Sequence, residues 1–237
     1  MTYEEAINYI HSIDWRGSRP GLSRVSELLD KLGNPQDELK FIHVGGTNGK
    51  GSFCAMMSSV LKEAGYKTGL FTSPYIEFFN ERMMINGEPI SNSELAEFTS
   101  QVRKIADSMT DPPTEFELIT AVAMLYFKEN KCDIVVLEVG LGGRLDATNI
   151  IKSPILSVIT GIALDHTAVL GDTIEKIAFE KAGIIKKGIP VLCANQTESV
   201  KKVFINVAKE NNSKIDCSYK SSVKIKINPF KRFFYKR

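Results

Sequence analysis

No stretch of this sequence approaches the ~20 consecutive apolar residues that a membrane-spanning helix requires. The N-terminus carries Glu4 and Glu5 and lacks the basic and apolar regions of a signal peptide, so the expected setting is the cytoplasm, with no membrane partner. Cysteine is sparse: Cys54, Cys132, Cys193 and Cys217 lie far apart with no paired spacing. That spacing speaks against a zinc site or a disulfide framework, and all four are expected to be reduced. No internal repeat or low-complexity linker divides the chain, and 43% apolar with 24% charged residues suits one soluble core. A monomer is expected.

Charge of one sign is also lacking overall, with 30 basic and 28 acidic residues giving +2, but the balance is uneven. Residues 220–237 hold seven of those basic residues and no acidic one, interleaved with Phe230, Phe233, Phe234 and Tyr235, which leaves the remainder at −5. Such a tail suits contact with a polyanion. An abnormal or frayed terminus is the plainer reading, and nucleic acid is not expected as a partner.

What the chain does contain is a glycine-rich segment directly behind an apolar run: Phe41-Ile42, then His43-Val44-Gly45-Gly46-Thr47-Asn48-Gly49-Lys50-Gly51-Ser52. Glycines let backbone N–H groups turn toward an anion, the following helix presents its positive end, and Lys50 adds a mobile charge for the outer phosphates. Position 44 lacks the usual glycine, and Gly51 separates Lys50 from Ser52. A glycine turn with no ligand is the bland alternative.

Apolar spacing predicts helices over 2–12 and 22–32, separated by the Gly/Pro-rich Trp15–Pro20. Short β-branched runs then alternate with helical stretches. Strands are expected near Phe41–Val44, Thr68–Thr72, Asp133–Val139, Ile155–Thr160 and Pro190–Ala194, and helices near Lys50–Ala64, Ser93–Met109, Thr114–Glu129, Thr173–Ala182 and Glu198–Glu210. This order predicts an α/β fold, a mostly parallel sheet joined by crossover helices. Ile134-Val135-Val136-Leu137 is apolar at every position, as a strand covered on both faces should be.

Ligands of such sheets gather at the carboxyl ends of the strands. Four unusual loops are expected there: the glycine loop, Thr72-Ser73-Pro74, Glu138–Asn149 and Leu164-Asp165-His166-Thr167. Glu138 ends a buried strand, where a carboxylate needs a cation or hydrogen bonds, which makes it the leading candidate to hold Mg²⁺. A side chain turned to solvent or paired with Arg144 is its alternative. Ser52 and Ser73 offer hydroxyl oxygens but equally suit capping of backbone groups. His166 is a poor magnesium partner by chemistry alone, and Lys181 reads locally as a solvated helix end.

Four blocks, His43–Ser52, Thr72–Ile90 with Phe79-Asn80-Glu81-Arg82, Glu138–Asn149 and Ile159–Lys186, resemble in content and order the signatures of the folylpolyglutamate synthase and dihydrofolate synthase family, within the wider Mur ligase group. The resemblance extends to about residue 195. It implies a P-loop ATPase domain with a mostly parallel sheet, followed in family members by a smaller C-terminal domain. It also implies the substrates: ATP, L-glutamate and a dihydropteroate or folate carboxylate. On that resemblance Gly46, Thr47, Asn48, Gly49, Lys50, Gly51 and Ser52 bind the ATP phosphates. Ser73, Glu138 and His166 hold Mg²⁺, and Lys181 is the family lysine that becomes carbamylated. Thr114, Glu115, Phe116 and Glu117 resemble a pterin-site segment, while Gly21, Leu22, Ser23 and Arg24, with Leu145, Asp146 and Ala147, match the pteroate pocket more weakly.

The chemistry implied is formation of an acyl phosphate, because a carboxylate oxygen is a poor leaving group until phosphorylated; the glutamate amine then attacks. Lys50, Lys181 and His166 are the catalytic candidates. Family members run nearly twice as long as this sequence. Residues 1–219 are therefore expected to form an incomplete ATP-binding ligase domain with impaired ligation, and 220–237 a tail unlike the family. Two other readings are a non-catalytic nucleotide-binding module contacting polyanions through that tail, and a cell-wall Mur ligase, which the Gly51 insertion argues against.

Overall fold

The computed structural model describes residues 1–13, 17 and 19–217. The basic segment 220–237, and part of the Trp15–Pro20 connection, lie outside the described residues. Two helices come first, α1 (Tyr3–Ser12) and α2 (Ser23–Lys31). Then follow β1 (Phe41–Gly45), α3 (Lys50–Glu63), β2 (Thr68–Phe71), β3 (Met83–Ile85), β4 (Glu88–Pro89), α4 (Asn92–Ala106) and α5 (Glu115–Glu129). The second half holds β5 (Ile134–Glu138), β6 (Leu156–Ile159), the single turn α6 (Thr167–Leu170), α7 (Ile174–Ala182), β7 (Val191–Cys193), α8 (Glu198–Glu210) and β8 (Ile215–Asp216). Among the described residues these strands form one sheet in the order β4-β3-β2-β5-β1-β6-β7-β8.

From β2 through β8 every neighbouring pair is parallel, so the alternation of strand and helix has its expected consequence. The antiparallel pair β3–β4 is an addition that the sequence reading left as loop. Its turn is Asn86-Gly87, both with positive φ (52° and 84°), the pattern of a two-residue hairpin turn.

Side-chain alternation along the strands divides the core. Phe41, Val135 and Leu137 point to one face, where they meet α1, α2, α4 and α5. Ile42, Val44, Ile134 and Val136 point to the other, against α3. A smaller cluster under α7 and α8 covers Ile159, Val191 and Cys193. Helix α5 is buried continuously from Glu117 to Phe127, so it is a central helix rather than an amphipathic surface one.

Thr114 caps α5, with its hydroxyl accepting from Glu117 N while the Glu117 carboxylate accepts from Thr114 N (2.7 Å). Arg24 of α2 completes this corner, its Nη2 3.0 Å from Glu117 Oε1 and its Nε 3.0 Å from Oε2. Both partners are buried, and the ion pair pins α2 to the start of α5.

One expectation is corrected. Cys193 and Cys217 form a disulfide, while Cys54 and Cys132 are free and buried. Spacing hid the pair because the two residues are 24 positions apart. The β7–β8 register sets Val191 opposite Ile215 and Leu192 opposite Asp216, which carries Cys193 to Cys217 with Cα atoms 4.8 Å apart. Cysteine usage therefore gives no support to a reducing compartment. No helix among the described residues is long and apolar enough to cross a membrane.

Replacing Arg24 by Met should strand a buried carboxylate and lower stability by about 3 kcal/mol, or roughly 10 °C in thermal midpoint for a domain of this size. Urea and thermal unfolding of the two proteins measure it. A loss under ~1 kcal/mol would mean that the Thr114 cap alone satisfies Glu117.

Candidate functional site

The glycine loop leaves β1 at Gly45 and enters α3 at Lys50, with Gly49 as N-cap in the left-handed region (φ 83°). A Cβ on Gly46 (φ 140°) would overlap the Thr160 hydroxyl, so this position has to be glycine for β6 to pass. Thr47 and Asn48 donate their backbone N–H groups to Gly161 O at 2.8 and 3.2 Å, and the Thr47 hydroxyl exchanges hydrogen bonds with Ala163. The loop is thus fastened to the segment after β6. The turn at Ser73-Pro74, with a cis peptide bond between the two residues, follows β2.

Three of the expected residues meet at the end of β5. Glu138 is buried, and its carboxylate takes one backbone hydrogen bond, from Ser73 N at 3.3 Å. Lys50 Nζ stands 4.0 Å from Oε1 and 3.4 Å from Thr47 O, contacts long enough to leave the ammonium free to turn to a phosphate. Burial raises the Glu138 pKa above the usual carboxylate range, against the opposing pull of Ser73 N–H and Lys50. A short-handed buried carboxylate with the Ser73 turn beside it is a donor that suits a hard cation such as Mg²⁺.

Lys181 joins from α7. It is buried, its Nζ donates to Gly46 O (2.9 Å), and burial together with the Lys50 charge lowers its pKa to about 8. It is therefore no solvated helix end. Arg144, the alternative partner of Glu138, pairs instead with Glu180 at 2.9 Å.

His166 stands apart. It is exposed, adopts φ 47° and lies 3.6 Å from Asp165, and among the described residues it makes no ion pair with Glu138. Among the described residues no three His, Cys, Asp or Glu side chains converge as a metal-binding group.

Beside this cluster opens a cavity of about 520 Å³ that shares Ser73 with it. Thr114, Glu115, Phe116 and Glu117 line one wall and Leu145, Asp146 and Ala147 another. The Phe116 ring covers Gly140 so closely that a Cβ there would lie 2.5 Å from it, and it tilts against Phe71 at 5.9 Å. Of the weaker matches, Gly21, Leu22, Ser23 and Arg24 do not line the cavity; their neighbours Arg19 and Pro20 do. Leu22 packs into the core, Ser23 is exposed at the start of α2, and Arg24 is spent on Glu117. Gly21 N reaches Leu145 O at 3.5 Å.

The sequence reading missed a buried relay behind Asp146. Leu141 N (2.8 Å) donates to Asp146 Oδ2, and Thr148 N (3.0 Å) and the Thr148 hydroxyl (2.5 Å) donate to Oδ1. Since that hydroxyl gives its proton to Asp146, it must accept from His43 Nε2, 2.9 Å away. His43 is then the neutral Nε2–H tautomer, with Nδ1 buried and unpartnered. No periodicity could flag this, because the relay joins residues 105 positions apart.

With this geometry in place, the comparisons with known proteins are specific. Residues 44–233 match the Mur ligase middle domain, most of the chain. The chain belongs to this family. A Bacillus subtilis protein named dihydrofolate synthase/folylpolyglutamate synthase is 49% identical over 197 residues, covering 81% of this chain and 46% of its own length. Folylpolyglutamate synthase of Lacticaseibacillus casei is 46% identical, over 82% of this chain and 46% of the relative. Among solved structures, an FPGS-AMPPCP-folate complex superposes with a TM-score of 0.85 at 42% identity, over 91% of this chain and 53% of that one. The chain spans about half the length of the curated relatives it matches. The mostly parallel fold expected from the sequence is that of these Mur ligase relatives.

Burial and the nearby Lys186 charge lower the His43 pKa from its ordinary 6.5 to about 3. Between those values the unfolded chain takes up a proton that the folded chain refuses, so this stabilisation is complete above pH 6.5 and is lost as pH falls. A His43→Gln variant should remove a slope of about 1 kcal/mol per pH unit below pH 6. Urea unfolding of both proteins at pH 7, 6 and 5 checks it; parallel pH profiles would refute a neutral buried His43.

Proposed function

We propose that this chain carries the nucleotide and pteroyl sites of an ATP-dependent ligase that joins L-glutamate to dihydropteroate or a folate. The observation that supports this most is the sharing of Ser73 between the Lys50–Glu138 cluster and the aromatic-walled cavity. An acceptor held in the cavity would present its carboxylate to the γ-phosphate of ATP. The named relatives, and the AMPPCP and folate in a solved complex, agree with that use.

In this reading Gly46–Ser52 cradle the phosphates through backbone N–H groups and the α3 N-terminus. Lys50 turns from Thr47 O to the oxygens that gain charge as the acceptor carboxylate attacks. Glu138, with Ser73 and Ser52, would hold Mg²⁺, and His166 is a further candidate ligand from the neighbouring loop. That ion would supply charge neutralisation on the phosphates. Lys181, with a pKa of about 8, keeps a fraction of free amine at neutral pH, the form that adds CO₂ to give a carbamate. Phe116 offers a flat apolar face to a pterin ring, and Asp146 holds another wall of the cavity in place through its hydrogen bonds to Leu141 and Thr148.

The expected product is an amide, formed when the glutamate amine displaces phosphate from the acyl carbon. Cytoplasmic residence, a monomeric state and a self-contained unit over residues 1–219 belong to the same proposal. Calorimetric titration with Mg-AMPPCP should show binding to the wild-type chain. Glu138→Gln should weaken it roughly tenfold or more, about 1.4 kcal/mol, and abolish its dependence on Mg²⁺. Failure of the wild-type chain to bind would sink the nucleotide assignment. Mass spectrometry for a glutamate-extended pteroate, formed only with ATP present, tests the ligation itself.

A further inference from the structure

Three arginines line the cavity: Arg19, Arg82 and Arg144. Arg19 is paired with Asp111 at 2.9 Å and Arg144 with Glu180 at 2.9 Å. Arg82 has no acidic partner within ion-pair distance among the described residues, and its Nε is buried without a hydrogen bond. The cost of a largely buried, unpaired guanidinium is offset in part by two rings, Tyr75 at 5.1 Å and Phe79 at 5.4 Å from its central carbon. Those rings also fix the plane of the fork.

The acids of the same cavity are engaged elsewhere. Glu117 belongs to Arg24, Glu180 to Arg144 and Asp146 to its three donors, while Glu115 meets His11 at 3.5 Å and reaches Arg82 only through space. Among the described residues the cavity thus offers one uncommitted cation, presented by a planar fork of the geometry that a carboxylate matches with two parallel hydrogen bonds. Position strengthens the case: Arg82 O accepts from Thr72 N at 3.0 Å, so the residue sits beside the Ser73 turn that the cavity shares with Glu138.

We propose that Arg82 is the carboxylate anchor of the cavity, binding the acid group of the pteroyl-side substrate and so setting the requirement for an anionic acceptor. This rests on the pteroyl reading given above. The test is calorimetric titration of wild-type, Arg82→Gln and Arg82→Lys chains with pteroic acid and with its neutral carboxamide. Wild type should prefer the acid. Arg82→Gln should lose about tenfold to a hundredfold for pteroic acid, the range of a hydrogen bond to a charged group, and change little for the carboxamide. Arg82→Lys, which keeps the charge but not the fork, should fall between them. Unchanged affinity for the acid, or equal losses for acid and amide, would overturn the assignment. So would a loss confined to Mg-AMPPCP, which would make Arg82 a phosphate ligand. If the wild-type chain binds neither pteroyl probe, the pteroyl reading itself falls and the anchor with it, an outcome distinct from a wild type that binds both without preference.

Discussion

A carboxylate stranded at the end of the sheet's buried strand is the constraint on which the rest of this structure depends. Glu138 is carried there by Ile134–Leu137, four apolar residues covered on both faces, and it cannot move out to water without unpairing β5 from β1 and β2. An anion in that position demands cations. The fold meets the demand from two directions: the Lys50 charge at the head of α3 and the Ser73 N–H after β2. Lys50 comes from the β1–α3 connection and Ser73 from the β2–β3 connection, so the cluster exists only when β1 and β2 flank β5.

The neighbouring cavity is built on a different principle. Where the glycine loop is fastened by backbone hydrogen bonds to Gly161, the cavity wall relies on close contact between a ring and a glycine. Phe116 rests on Gly140, and the loop beyond it is held by hydrogen bonds into Asp146 rather than by packing alone. Arg24, Glu117 and Thr114 stiffen the corner from which Phe116 projects. The rigidity of the cavity wall therefore derives from buried polar contacts made by residues that do not all face the cavity.

Elements with strong periodicity were legible in the sequence, and contacts across long separations were not. The five expected strands and the helices between them agree with the structure to within a few residues, because β-branched runs and 3.6-residue spacing are local signals. The β3–β4 hairpin could have been read from Asn86-Gly87, which demands positive φ at both positions. By contrast, the Cys193–Cys217 pair, the His43–Thr148–Asp146 relay and the Arg24–Glu117 bridge depend on register and helix packing, on which spacing is silent. Lys181 illustrates the same limit. Its local pattern is that of a solvated helix end, yet burial and the Lys50 charge set its chemistry and Gly46 O holds its amine, and both partners are distant in sequence.

Gly143 has a bearing on how such a site can change. A Cβ there would sit 3.0 Å from the Lys181 Cα, and Arg144 N is bonded to Glu180 O, so the cavity's inner loop and the end of α7 touch backbone to backbone. No flexible side chain lies between them to absorb a shift. A shift of this loop is therefore transmitted directly to the backbone that carries the buried Lys181 amine, so the cavity wall and that amine can only change together.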